Sequence, residues 1–156
     1  MFRKMRRFKQ QLSEEECIEV LTHGQRGVLA VHGEDGYPYA FPLNYIYKDG
    51  KLYFHGAKVG HKMDALAGDD RVSFCVMDEG FRKEGEWALN IKSIIMFGRI
   101  AKIEDAEKTV DIVRQIGLKY YPTAEGVEEE IRKAGAYVQI LELTIDHMTG
   151  KLVNES

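Results

Sequence analysis

Apolar residues recur along this chain with two different periods, and an element ends where the period changes. Leu12-Ser-Glu-Glu-Glu-Cys17 opens a helix: Ser13 is its N-cap, Glu16 completes a capping box, and Leu12 can staple against Cys17. Ile18 and Leu21 supply its apolar side, and Gly24 reads as its C-terminal stop. Gly27 to His32 is a short apolar strand and Glu34-Asp-Gly36 a turn. Tyr39 to Tyr47 is a longer strand whose odd positions, Tyr39, Phe41, Leu43, Tyr45 and Tyr47, line one face. Pro42 has no N–H for a ladder, so it requires an edge, a bulge or a diverted backbone. Asp49-Gly50 is a hairpin signal that returns the chain as Leu52 to His55, completing a three-stranded antiparallel meander.

A short helix follows, with Met63, Leu66 and Ala67 on one side and Gly68 at its end. Val72, Phe74 and Val76 alternate as a strand, and Phe81 to Glu86 is a polar loop. Trp87 to Ile103 is strand-like but too long to stay flat, so a bend is expected near Ser93 or Gly98. Ala106, Val110, Val113, Ile116 and Tyr120 repeat at helical spacing up to Pro122. Thr123 caps a further helix with Val127, Ile131 and Ala134 inward and Gly135 at its end. A last strand runs from Tyr137 to about Ile145, before a Thr149-Gly150 turn and a short tail. Short, mostly antiparallel strands with helices between them imply a mainly β protein with flanking helices, a small barrel and not a parallel βαβ sheet. No repeat or linker divides the sequence, so 1–156 is expected to be one domain with residues 1–11 as a basic arm.

With 44% hydrophobic and 30% charged residues, the chain can bury a core without disulfides. Cys17 and Cys75 stand far apart and in no metal-ligand spacing. The net charge of −3 argues against general nucleic-acid binding, although Arg3, Lys4, Arg6, Arg7 and Lys9 crowd the arm, which is read as solvated. Polar Gln10-Gln11 follows the arm where a secretory signal would carry an apolar region, and no apolar run spans a bilayer. The cytoplasm is the expected compartment.

Candidate chemistry concentrates in Tyr53-Phe-His-Gly-Ala-Lys-Val-Gly-His-Lys62. This stretch ends a strand, passes two glycines and opens a helix with Lys58, His61 and Lys62, where the helix dipole favours acids. A bound anion reverses the sign: Gly56 and Gly60 let the backbone approach a phosphate, first-turn amides donate to it, and Lys62 adds charge-assisted bonds. A solvated basic turn is the alternative. The five histidines form no recognised ligand spacing, so no metal site is expected. Neither Ser73 nor Ser93 sits in a nucleophile elbow, and Rossmann and Walker motifs are absent. Two further segments can cooperate with the cradle: Pro42-Leu-Asn-Tyr45 offers a diverted backbone and an amide, and Lys92-Ser-Ile94 a hydroxyl and backbone donors.

Met5-Arg-Arg7, Gly36-Tyr-Pro-Tyr39, Pro42-Leu-Asn-Tyr45, Tyr53-Phe-His-Gly-Ala57 with Gly60-His-Lys62, Ser93-Ile-Ile-Met-Phe-Gly98 and Thr149-Gly-Lys151 follow one another in a familiar order. In these blocks the chain resembles the pyridoxamine 5′-phosphate oxidase-like split-barrel flavoproteins, most closely the nitroimidazole-resistance (Nim) branch. The resemblance implies a split β-barrel and a homodimer that holds FMN at the subunit interface. It implies that Pro42, Leu43, Asn44 and Tyr45 line the isoalloxazine. His55, Gly56, Ala57, Gly60, His61 and Lys62 would hold ribityl and phosphate, and Ser93 and Ile94 would close over the ring. Ile91 stands where relatives often carry an aromatic residue. Phe41, Tyr45 and Trp87 offer apolar surface to a flat ring. The implied activity is that of an FMN-dependent oxidoreductase with a donor such as NAD(P)H and a small acceptor such as a nitro-aromatic or quinone-like compound. A flavin needs no separate acid–base residue, and the catalytic residue is unassigned; His55 and Tyr45 are candidate proton donors, with packing or cofactor binding the expected role of each. Two alternatives stand beside this one. One is a pyridoxamine 5′-phosphate oxidase-type enzyme, for which no second phosphate site is in view. The other is a non-catalytic carrier or sensor of flavin or haem, with His55 or His61 as ligand.

Overall fold

In the computed structural model, which describes residues 1–155, one antiparallel seven-stranded sheet carries the fold. Its strands are β1 (Arg26–His32), β2 (Pro38–Asn44), β3 (Ile46–Lys48), β4 (Lys51–Ala57), β5 (Arg71–Met77), β6 (Leu89–Ile103) and β7 (Val138–Glu155), in the order β2-β1-β5-β6-β7-β4-β3. Helices α1 (Glu14–His23), α2 (His61–Gly68), α3 (Ala106–Tyr120) and α4 (Ala124–Ala134) occupy the connections. The chain is thus mainly β with flanking helices. β2 and β3 lie at opposite ends of the strand order yet are separated only by Tyr45, so the sheet has to curl back on itself, as a split barrel does. Among the described residues no helix is long and apolar enough to cross a membrane.

The expected continuous strand from Tyr39 to Tyr47 is therefore broken, and with it the simple meander. Tyr45 leaves the ladder because α3 takes its backbone. The Tyr45 N–H donates to the Tyr120 hydroxyl at 3.0 Å, and its carbonyl accepts from Tyr120 Oη at 2.8 Å and from Lys119 Nζ at 3.0 Å. Its ring is wholly buried, meets Phe74 edge-on at 5.3 Å, and its hydroxyl donates to the Leu21 carbonyl at 2.6 Å. Burying a ring of this size stabilises the fold by about 2–3 kcal/mol. Pro42 finds the edge it requires: β2 ends the sheet, and Pro42 faces Val28 across its one ladder.

Three glycines have spatial and not turn-forming roles. Gly24 does follow α1, but with an ordinary φ of −62°; a Cβ there would run into the Tyr45 hydroxyl and Val76. Gly98 marks the expected bend in β6, where the register with β7 shifts between Phe97 and Gly98, and a Cβ would strike the Thr144 carbonyl. Thr149-Gly150 is not a turn. β7 continues to Glu155 and pairs Thr149 and Gly150 with Ile95 and Ile94, while a Cβ on Gly150 would stand 2.6 Å from Cys17 Sγ. That glycine lets α1 approach the sheet. β6 begins at Leu89, leaving Trp87 exposed in the preceding loop.

The basic arm is not merely solvated. Phe2 stacks on His147 at 4.8 Å and on Phe97 at 5.4 Å, and Gln11 bridges to Lys151. Two cores flank β4. Leu52 and Phe54 point into the barrel, whereas Tyr53 joins Ile46, Ile112, Ile116 and Ile140 beneath α3. This alternation turns His55 toward the helices and Gly56 toward the opposite face.

Candidate functional site

β4 delivers the chain to the basic turn, and Gly60 sets the direction of α2. With φ 136° and ψ 177°, Gly60 occupies backbone space that side-chain-bearing residues avoid. The other three helices receive side-chain caps: Ser13 accepts from the Glu16 N–H at 3.2 Å, Asp105 from that of Lys108 at 2.8 Å, and Thr123 from that of Gly126 at 3.0 Å. No side chain caps α2, and its first turn opens on His61 and Lys62, with Asp64 the one acid. Its leading amides therefore point outward without a side-chain acceptor. Around Gly56 and Gly60 there is open space: nothing lies within 4 Å of where a Cβ would stand. Among the described residues no carboxylate lies within ion-pair distance of Lys58, His61 or Lys62. Free amides, unpaired cations and empty space over glycine fit an anion such as a phosphate ester.

The aromatic row of β2 supports this cradle, a role the sequence did not assign to it. His61 stacks on Tyr39 with centroids 4.2 Å apart, and Lys62 Nζ stands 4.9 Å above the Phe41 ring. Both rings come from the alternating positions of the strand pattern, so the signal was present. A cation held against a ring face keeps its outward N–H donors free. His55 lies close enough to feel this charge: burial, and then the positive charge of Lys62, push its imidazole below the ordinary value. Among the described residues, the His23 ring meets the Glu19 backbone carbonyl and the His32 ring the Asp69 carboxylate, whereas the His55 ring nitrogens have no partner within the chain. No group of three metal-ligating side chains forms among the described residues.

The chain brings together Gly56, Ala57, Gly60, His61 and Lys62, with His55 beside them. It does not bring Ser93 and Ile94 to the same place. His55 pairs with Ile140, and Ile140 with Ile103, whereas Ser93 pairs with Lys151. The separation is about ten residues of strand, on the order of 30 Å of path. Ile94 points into the barrel and is fully buried, so its side chain closes over nothing. Tyr45 likewise offers no surface to a ligand ring: it is wholly buried, its hydroxyl donates to the Leu21 carbonyl, and burial pushes its phenol far above the usual range. Phe41 is buried and Trp87 is exposed in its loop, so these rings do not form the single apolar face expected of them. Leu43 packs against the barrel core, Asn44 pairs with Arg26, and Pro42 lies on the outer face of the sheet.

That outer face also carries Ser93, and it is unusually apolar. Registers place Pro42, Val28, Cys75, Ile95 and Thr149 in one row across five strands. Ala40, Ala30, Ser73, Phe97 and His147 form the next. Val28, Ile95, Phe97 and Met77 remain exposed on it.

The family described as pyridoxamine 5′-phosphate oxidase matches residues 13–152. No curated protein matches the chain. A candidate 5-nitroimidazole antibiotic resistance protein from Bacteroides thetaiotaomicron superposes with a TM-score of 0.76 at 18% identity, covering 93% of this chain and 87% of that one. An FAD-binding protein from Mesorhizobium loti gives 0.68 at 26% identity, with 92% and 97% covered. The FAD and heme binding protein from Mycobacterium smegmatis gives 0.72 at 23% identity, with 92% and 73% covered.

Proposed function

We propose a function from one established premise: the chain belongs to the pyridoxamine 5′-phosphate oxidase family. The protein is an FMN-dependent oxidoreductase that uses electrons from a donor such as NAD(P)H to reduce a small acceptor such as a nitro-aromatic compound. The observation that carries this reading is the entrance of α2, which has no side-chain cap, is open over two glycines and holds cations that form no ion pair among the described residues. The names of two neighbours, an FAD-binding protein and a candidate nitroimidazole-resistance protein, support a flavin and this acceptor class.

When bound, the flavin supplies the electron chemistry. The chain's part is to bind and orient. Lys62 provides the counter-charge, His61 is pinned by Tyr39, Gly60 keeps the approach clear, and the leading amides of α2 donate to the phosphate. His55, unengaged within the chain and with its pKa lowered by burial and by Lys62, offers its ring nitrogens beside the cradle.

A homodimer belongs to the same proposal. The exposed apolar rows on the outer sheet face are what an isologous contact would cover. Ser93 and Pro42 sit on that face while the cradle lies elsewhere on the chain, so a second copy would complete the site. The carrier reading draws on the neighbour whose name includes heme and on the unengaged His55 ring.

The experiment is a visible spectrum of the freshly purified protein, repeated anaerobically after NADPH is added. Two flavin bands that bleach support the oxidoreductase. Flavin bands that persist favour another donor or a carrier, and a Soret band favours haem. A colourless protein that takes up no FMN overturns the proposal.

A further inference from the structure

The N-terminal arm is held at both ends. Phe2 stacks on His147 and Phe97 at one end, and at the other Gln11 bridges to Lys151 while the Leu12 N–H donates to the Gly150 carbonyl at 2.8 Å. A turn of 3₁₀ helix over Phe8–Gln10 tightens the span, with the Gln10 N–H on the Arg7 carbonyl at 3.0 Å. Between these anchors Met5, Arg6 and Arg7 line, with Lys151 and Val153 of β7, an open groove of about 370 Å³. We propose that this groove binds a diphosphate group through Arg6, Arg7 and Lys151, and that the apolar strip beside it takes the base of a nucleotide carrying that group. The groove is separate from the α2 cradle, whose Gly56 pairs with Gln139, about twelve residues of β7 and on the order of 40 Å of strand path from Lys151. It therefore does not rest on the flavin reading.

The charge here is unanswered within the chain. Arg71, Arg99 and Arg114 each hold a carboxylate, whereas Arg6, Arg7 and Lys151 enter no ion pair among the described residues, although the chain carries 25 acids. Three cations facing one groove repel one another, and a diphosphate carries enough negative charge to answer all three where a single phosphate does not. The donors also suit phosphate oxygens. Each guanidinium presents its N–H groups as a planar fork that meets two oxygens at once, and half-buried Lys151 adds a point charge. Because the arm is already pinned, less order has to be gained on binding. The surface next to the cations is apolar: the β6–β7 ladder sets Lys151 opposite Ser93 and Val153 opposite Ile91, and paired residues share a face. Half-buried Ile91 and Val153 thus form a strip that a flat base can cover. A dinucleotide electron donor is one source of such a group, and a free nucleoside diphosphate is another.

The test is isothermal titration of the full chain with ADP, AMP and inorganic pyrophosphate, without flavin. ADP is expected to bind saturably, at least about tenfold tighter than AMP and tighter than pyrophosphate, and to weaken as salt is raised. Arg6→Ala combined with Arg7→Ala should lower ADP affinity about hundredfold with unchanged circular dichroism, since both residues are exposed and outside the sheet. Lys151→Met should lower it about tenfold, and Arg7→Lys should keep more affinity than Arg7→Ala because the charge survives. Lys62→Ala should leave ADP binding intact while weakening FMN. ADP no tighter than AMP, affinity untouched in the double arm variant, or ADP binding lost in Lys62→Ala overturns the diphosphate site. Pyrophosphate as tight as ADP overturns the base strip alone. NADPH that displaces ADP makes the donor the source, and NADPH that does not makes it a free nucleotide. ADP bound by a chain that takes no FMN overturns the cradle reading and leaves this groove standing, and FMN bound without ADP does the reverse.

Discussion

The two ends of β4 treat positive charge in opposite ways. At its start, Lys51 and Lys108 both reach Glu142 at 2.9 Å, and Lys108 also lies over the Tyr53 ring. Burial works to raise the Glu142 pKa, but hydrogen bonds from Lys51, Lys108 and the Tyr53 hydroxyl outweigh it and hold the carboxyl at about 2. At its end, Lys58, His61 and Lys62 form no ion pair among the described residues and gather at the one α-helix without a side-chain cap. The first end is complete within the chain. The second has cations and leading amides with no acceptor among the described side chains, which is why the proposed phosphate is placed there.

The largest expected effect comes from removing the unpaired cation. Lys62→Ala should weaken FMN binding about hundredfold by fluorescence titration, since charge-assisted bonds contribute about 1.5–3 kcal/mol each. Its cost in stability should stay within about 1 kcal/mol, the value of its contact with Phe41. Gly60→Ala attacks the same end through the backbone: forcing a side chain to φ 136° should cost about 1–3 kcal/mol in urea denaturation and weaken FMN as well. At the complete end the signature should invert. Glu142→Gln should cost about 1–2 kcal/mol, discounting solvent screening of the half-exposed lysines, with FMN affinity unchanged. Because Glu142 titrates lower in the folded chain than its ordinary 4.5, its contribution is present above pH 4.5 and is lost as pH falls toward 2. The wild type should therefore lose stability more steeply than Glu142→Gln across that window. Ser13→Ala, which uncaps α1, should cost about 1 kcal/mol and leave FMN untouched, showing that uncapping alone does not make a site.

Much of this contrast was legible in the sequence. The two glycines and three basic residues, the Ser13 capping box and the alternation of Val72, Phe74 and Val76 are local signals, and they put the basic turn on a strand–helix junction, where the structure has it. The break at Tyr45 was not legible. Its inward side keeps the parity set by Phe41, so the pattern runs unbroken while Tyr120 and Lys119, distant in sequence, remove its backbone from the ladder. Gly150 was misjudged for a related reason: its missing Cβ makes room for Cys17 of α1 and for Leu12 just ahead of that helix, and local punctuation reads any Thr-Gly as a turn. The inward faces of α3 and α4 were visible as periodicity, but what they face, His55 on the outward side of β4, depends on strand register.

The α2 entrance is proposed to hold a flavin by its phosphate. The most direct measurement is a side-by-side titration of flavin-free protein with FMN and with riboflavin, which differs by that phosphate alone. FMN binding about hundredfold tighter, with inorganic phosphate competing and the advantage gone in Lys62→Ala, is the predicted result. Equal affinity for the two flavins would contradict it.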